Sequence, residues 1–133
     1  MNVFVDTSAI LALADTEDHS YRVAAAVWQR LIAEKHQLLT TNYVLVETCS
    51  LLQARIGIQS VREFLSSIVP LINVIWIDEE THKASLQVLL LANQRRLNLV
   101  DCTSMAVARQ SGIDHFFAFD RHFSERGFIC LIS

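Results

Sequence analysis

Short apolar runs alternate along this chain with longer stretches in which apolar residues recur at helical spacing. NVFV, residues 2–5, is almost unbroken in its apolarity, as expected of a strand covered on both faces. Thr7 or Ser8 can cap a short helix running to about Asp15. DTEDHS follows as a polar loop, and Ser20 opens a second helix to about Lys35. LLTT predicts a second strand, and NYVLVETCSLLQAR a helix from Asn42 to Arg55, stopped by Gly57. A helix over about Ser60–Ile68 ends before Pro70, and NVIWI is a third strand. Asp78 caps the next helix, which carries Glu79 and Glu80 in its first turn and runs to about Gln94. VDCTSMAVARQ is helical up to Gly112, FFAF is a fourth strand, DRHFSERG a turn of helix, and FICLI a last short strand. Strands alternating with helices in this way predict an α/β fold, with a mainly parallel sheet and helices on both faces. Such sheets bind ligands beyond the carboxyl ends of their strands.

Composition narrows the picture further. A chain of 133 residues is expected to form one domain spanning residues 1–133. Only three Gly and one Pro among them favour long elements with short connections. No run approaches the roughly 20 apolar residues of a membrane helix, since Asp6, Glu47 and Asn93 interrupt the longest candidates. The first apolar run has no basic region before it, so no secretory signal is expected and the protein reads as soluble and cytoplasmic. Cys49, Cys102 and Cys130 are odd in number and lack C-x-x-C spacing, so they read as reduced core residues. The net charge of −3 argues against a protein that coats nucleic acid in bulk. It leaves room for an enzyme that meets nucleic acid transiently.

Most of the 14 acids flank helix starts or lie in polar surroundings. Asp6, Glu47, Asp101 and Asp120 do not. Asp6 and Asp120 follow the apolar strands NVFV and FFAF. Glu47 shares a helical stripe with Val44 and Leu51, and Asp101 one with Met105 and Ala108. A polar residue where the pattern wants an apolar one marks a candidate functional position. Each Asp can also be read simply as a helix cap, and Glu47 as the partner of an arginine. Brought together, the four would repel one another and lose hydration, raising their pKa values. A hard divalent cation, Mg²⁺ or Mn²⁺, removes that conflict and supports in-line displacement at a phosphate.

VDTSA, the Glu of TNYVLVET, LVDCTSMAVA and FAFDRHF, in that order over nearly the whole chain, resemble the PIN-domain nucleases, and most closely the VapC-like ribonuclease toxins. The resemblance implies a five-stranded parallel sheet in an α/β/α sandwich and Mg²⁺-dependent endoribonuclease activity on RNA. It also implies homodimerisation and inhibition by a small antitoxin protein. Carried over by position, Asp6, Glu47, Asp101 and Asp120 are the acidic quartet, and Thr7 or Ser8 the small hydroxyl residue after the first acid. Asp6 and Asp101 are expected to ligate the metal most directly, with Glu47 and Asp120 completing the site or orienting the attacking water. Ser104 is one turn beyond Asp101 and faces the same side, where it either binds a metal water or phosphate or bonds its own helix. No histidine shows metal-ligand spacing; His122 alone adjoins a site residue and can carry a proton. Arg95, Arg96 and Arg121 either contact RNA phosphates or are solvated helix ends. Trp28, Trp76 and the phenylalanines are expected in the core, whereas SLQVLLLA suggests a helix face that buries against a twin subunit or an inhibitor.

Two other readings have weaker support. A receiver-type phosphoryl-transfer domain needs a lysine after its last strands, and only Lys35 and Lys83 are present. A dehalogenase-like phosphatase needs a second Asp where Ser8 stands. A non-catalytic module that merely binds RNA or protein at an acidic cleft uses the same residues without their chemistry.

Overall fold

Val3, Phe4 and Val5 are wholly buried, and they form the central strand of the molecule, as their continuous apolarity requires. The structure, a computed structural model, describes residues 1–132. In chain order the elements are β1 (Asn2–Val5), α1 (Thr7–Ala14), α2 (Tyr21–Ala33), β2 (Gln37–Thr41), α3 (Asn42–Arg55) and α4 (Ile58–Glu63). They continue with β3 (Asn73–Ile75), α5 (Glu79–Ala92), α6 (Leu99–Gln110), β4 (His115–Phe117), α7 (Arg121–Glu125) and β5 (Ile129–Cys130). All strand pairs are parallel, in the order β3-β2-β1-β4-β5.

Aromatic packing shows how both faces of the sheet are covered. Phe4 stacks on its neighbour Phe116 at 4.9 Å between centroids, and Phe116 meets Phe123 of α7 at 4.5 Å. On the opposite face Phe117 packs against Trp28 of α2 at 6.3 Å. Successive strand residues point to opposite faces, so these contacts define the three-layer α/β/α sandwich. Right-handed crossovers carry the chain outward from β1 to β2 and β3. The chain then returns across the sheet to β4, on the other side of β1.

Several boundaries differ from the sequence expectation. FFAF is not wholly strand: the ladder ends at Phe117, because its neighbour β1 has already turned at Asp6 into α1. NVIWI is a strand only over Asn73–Ile75. Trp76 lies beyond the end of this edge strand and is 74 % exposed, not a core residue. The helix expected from Ser60 starts at Ile58, just after Gly57. It widens into a π-helical turn over Phe64–Ile68 before the Pro70 turn. The helix after Asp78 stops at Ala92, where Asn93 adopts the left-handed cap conformation. In α3 the buried stripe is Val44, Thr48 and Leu52, so Glu47 is half-buried at its margin. Cys49, Cys102 and Cys130 are free thiols, with Cys102 buried and the others half-buried.

Phe116 touches the rings of Phe4, Phe123 and Phe128 and is inaccessible to solvent. Phe116→Ala is expected to cost about 3–5 kcal/mol, read as a lowered midpoint in denaturant with an unchanged slope.

Candidate active site

The order of strand addition reverses between β1 and β4, which creates a topological switch point, and open α/β sheets place their ligand crevice there. Asp6 is the first residue after β1, and its N–H donates to Phe117 O at 3.0 Å, extending the ladder by one bond. Its carboxylate Oδ2 caps α1, accepting the Ser8 N–H at 3.1 Å and the Ser8 hydroxyl at 2.6 Å. The Ser8 oxygen in turn accepts the Phe119 N–H at 2.9 Å. One hydroxyl thus ties the first acid to the residue preceding Asp120. Asp120 caps α7, and its Oδ1 accepts the His122 N–H at 3.0 Å; His122 Nε2 lies 3.4 Å from the same oxygen.

The other two acids arrive on helices. Thr7 is buried and accepts a hydrogen bond from the Thr48 hydroxyl at 3.1 Å. This strut fixes α3 against α1 one residue from Glu47. Asp101 is the third residue of α6 and forms a reciprocal cap with Asn98. The Asp101 N–H donates to Asn98 Oδ1 at 2.9 Å, and the Asn98 N–H to Asp101 Oδ2 at 3.1 Å. Asn98 Nδ2 reaches Glu47 Oε2 with a long bond of 3.5 Å, so this side chain links two of the acids. Hydrophobic patterning does not single out Asn98. Its signal lies in NLVD, whose N-cap Asn with Asp three residues later is a capping-box pattern.

Asp101, Asp120 and His122 each offer a ligand atom within 4.8 Å of the others. Asp6 is close enough to raise the pKa of Asp101, and Glu47 and Asp120 likewise raise that of Asp6. The structure therefore brings all four acids to one rim, adds His122 beside them, and places Thr7 below it as a buried support. Burial is the largest influence on both inner acids. It lifts Asp6 from 3.8 to about 6, against the lowering effect of the Ser8 bonds. Burial also lifts Asp101 to about 7, against its bond to Asn98. For Asp6 this opposes ionisation by roughly 3 kcal/mol.

Among the described residues, no Lys or Arg ion-pairs with any of the four acids. Lys83 pairs with Glu79 on α5, which removes it as the lysine a receiver site would need. Ser104 Oγ is fully buried without a hydrogen-bond partner among the described residues. Clustered carboxylate oxygens, raised pKa values and a lack of basic partners suit a hard divalent cation.

This fold and this rim of acids define a PIN domain. The PIN-domain family model matches residues 3–129, and the chain belongs to that family. It is 31 % identical over 128 residues to the 23S rRNA-specific endonuclease VapC20 of Mycobacterium tuberculosis, covering 96 % of this chain and 95 % of that protein. The crystal structure of M. tuberculosis VapC20, described as a Sarcin-Ricin loop cleaving toxin, superposes with a TM-score of 0.83 at 32 % identity, covering 96 % of both chains. FitAcB from Neisseria gonorrhoeae shares the fold, with a TM-score of 0.69 at 14 % identity over 96 % of this chain and 94 % of that one.

Raised carboxylate pKa values have a thermal signature. Both inner acids are easier to protonate when folded than when unfolded, so their contribution to stability is complete below about pH 4. It is lost as pH rises through about 6 and 7. In chelator, the melting temperature is expected to fall from pH 5 to pH 8. Asp101→Asn should melt higher than wild type at the alkaline end and with a flatter profile. A melting curve independent of pH in both proteins would show that the acids are not crowded.

Proposed function

We propose that this chain is a metal-dependent endoribonuclease acting as the toxin of a toxin–antitoxin pair. The observation that carries this reading is the convergence of four acids, unpaired by any Lys or Arg among the described residues, at the switch point of the sheet. Full-length similarity to an rRNA-specific endonuclease supports ribosomal RNA as the substrate, with the sarcin–ricin loop as the region attacked. An RNA substrate and an antitoxin partner imply a cytoplasmic location.

Asp6 and Asp101 would hold Mg²⁺, or Mn²⁺, most directly, with Asp120 and Glu47 completing the donor set. A divalent ion held by these oxygens would supply Lewis acidity toward water and offset charge on the phosphate. Ser8 keeps the Asp6 carboxylate oriented, and Asn98 does the same for Asp101 and Glu47. One of Glu47 and Asp120 would also orient or deprotonate the attacking water. Ser104, one turn beyond Asp101 on α6, has a buried hydroxyl with no hydrogen-bond partner among the described residues, and it would serve the water or phosphate side of the site. His122, half-buried beside Asp120, would serve as a proton carrier. Arg121, exposed next to Asp120, would contact the substrate's phosphates.

Incubation of purified protein with ribosomes or 23S rRNA in Mg²⁺ or Mn²⁺ is expected to give a discrete cleavage product, abolished by chelation. Asp6→Asn and Asp101→Asn should each lower the rate by on the order of 10²-fold or more, as loss of several kcal/mol of transition-state stabilisation requires. Undiminished cleavage in both variants would exclude this site.

The homodimer belongs to the same reading. Leu90 and Leu91 of α5 are 75 % and 85 % exposed, an apolar face of the kind that marks an interface. Sedimentation should give a dimer for the wild type and a monomer for Leu90→Asp/Leu91→Asp; a wild-type monomer would remove the dimer.

A further inference from the structure

Beside the acids the surface opens into a cleft of about 950 Å³, whose lining includes Arg95, Arg96 and Arg121 together with Ser8, Phe119 and Asp120. Three arginines on one cleft are unexpected in a chain of net charge −3. All three are exposed, and none has an ion-pair partner among the described residues. Asp120 and Glu125 are the only carboxylates among the lining residues, and Asp120 is committed to the acidic rim.

The loop that presents Arg95 and Arg96 is held at several points. Asn93 begins it in the left-handed conformation, its N–H donating to Leu89 O at 3.3 Å. Gln94 Oε1 accepts a 2.6 Å hydrogen bond from Arg126 Nη2, which ties the loop to the helix region following Asp120. Leu97 is buried in the core, and Asn98 caps α6. Arg95 and Arg96 are thus displayed from a short segment anchored on both sides, and Arg126 makes that segment one structure with α7. Arg121 is the first residue of α7. Past Phe119 and Arg121 a neighbouring hollow continues to Asp18 and His19. Asp18 brings negative charge there and limits the length of the basic path.

Free guanidinium groups on a preformed cleft are suited to phosphate, which they can bind bidentately. We propose that the cleft is a phosphate track, in which Arg95, Arg96 and Arg121 bind the backbone of single-stranded RNA on one side of the bond that is cut. This rests on the ribonuclease reading and adds to it a direction: the strand runs from the acids toward the α5–α6 loop, not across α3. The strand on that side is expected to be unpaired for a few nucleotides, so that its backbone follows the three guanidinium groups from the acids to the α5–α6 loop.

The test uses Asp101→Asn protein, so that RNA binds without being cut, and a short fluorescent single-stranded RNA titrated from ~50 to ~200 mM salt. Deleting one guanidinium that neutralises a phosphate should reduce the slope of log K against log salt by about 0.7. Arg95→Ala/Arg96→Ala/Arg121→Ala should therefore lose about 2 from that slope. Replacing the same three residues by Lys should restore most of it. In the otherwise wild-type enzyme, Arg95→Ala/Arg96→Ala should raise KM for RNA on the order of tenfold at moderate salt, with circular dichroism confirming an intact fold. An unchanged slope in the triple Ala variant overturns the track while leaving the ribonuclease reading intact. A wild-type protein that binds and cuts no RNA overturns both. An acidic peptide that binds more tightly than RNA of equal charge, through the same arginines, overturns the track in favour of a protein partner.

Discussion

The parallel pairing of β1 with β4 is the constraint on which the rest of the molecule depends. The two strands end side by side, with Asp6 directly after β1 and Asp120 three residues after β4. The Asp6 N–H bond to Phe117 O shows the pairing continuing to the point where the carboxylates begin. Buried rings on both faces hold the strands in register. The same packing that stabilises the core therefore forces negative groups into a notch where water solvates them poorly. The fold carries that tension because its stability is generated elsewhere, and a cation held among these oxygens would relieve it.

Capping and metal binding are usually weighed as alternative explanations for an aspartate at the start of a helix. The geometry here is compatible with both at once. Asp6 caps α1, Asp120 caps α7, and Asp101 completes the reciprocal cap of α6. Each cap fixes the carboxylate by hydrogen bonds through one named oxygen. The side chain is thereby oriented before any ligand arrives, which limits the rotational freedom a metal would otherwise have to remove. Glu47 alone is mid-helix and depends on Asn98 and on the Thr7–Thr48 strut for its placement.

Much of this is legible in the chain. Continuous apolar runs identify the strands, and their alternation with helices identifies the layers. The acids stand out because they break both patterns. What the pattern does not show has physical reasons. Trp76 reads as core because an aromatic in an apolar run usually is, but the run outlasts the sheet at an open edge. Glu47 reads as buried because a helical stripe inferred from two residues is defined only to within one position. Asn98 is invisible to hydrophobic periodicity, since its role lies in hydrogen bonds that are apparent only from cap chemistry. The nearness of His122 to Asp101 depends on a crossover over the sheet, and no local spacing encodes it. The arginine cleft is likewise assembled from a loop and a helix separated in sequence, and the Gln94–Arg126 bond joins them only in the folded state.

The position of β4 has a consequence for biosynthesis. It is inserted next to the strand the ribosome makes first, although the helices α1 to α6 are all translated in between. A nascent or prematurely terminated polypeptide lacking β4 and Asp120 leaves one side of β1 without its neighbour, and no reactive centre can assemble. The acidic notch is thus completed only when translation of the domain is nearly finished.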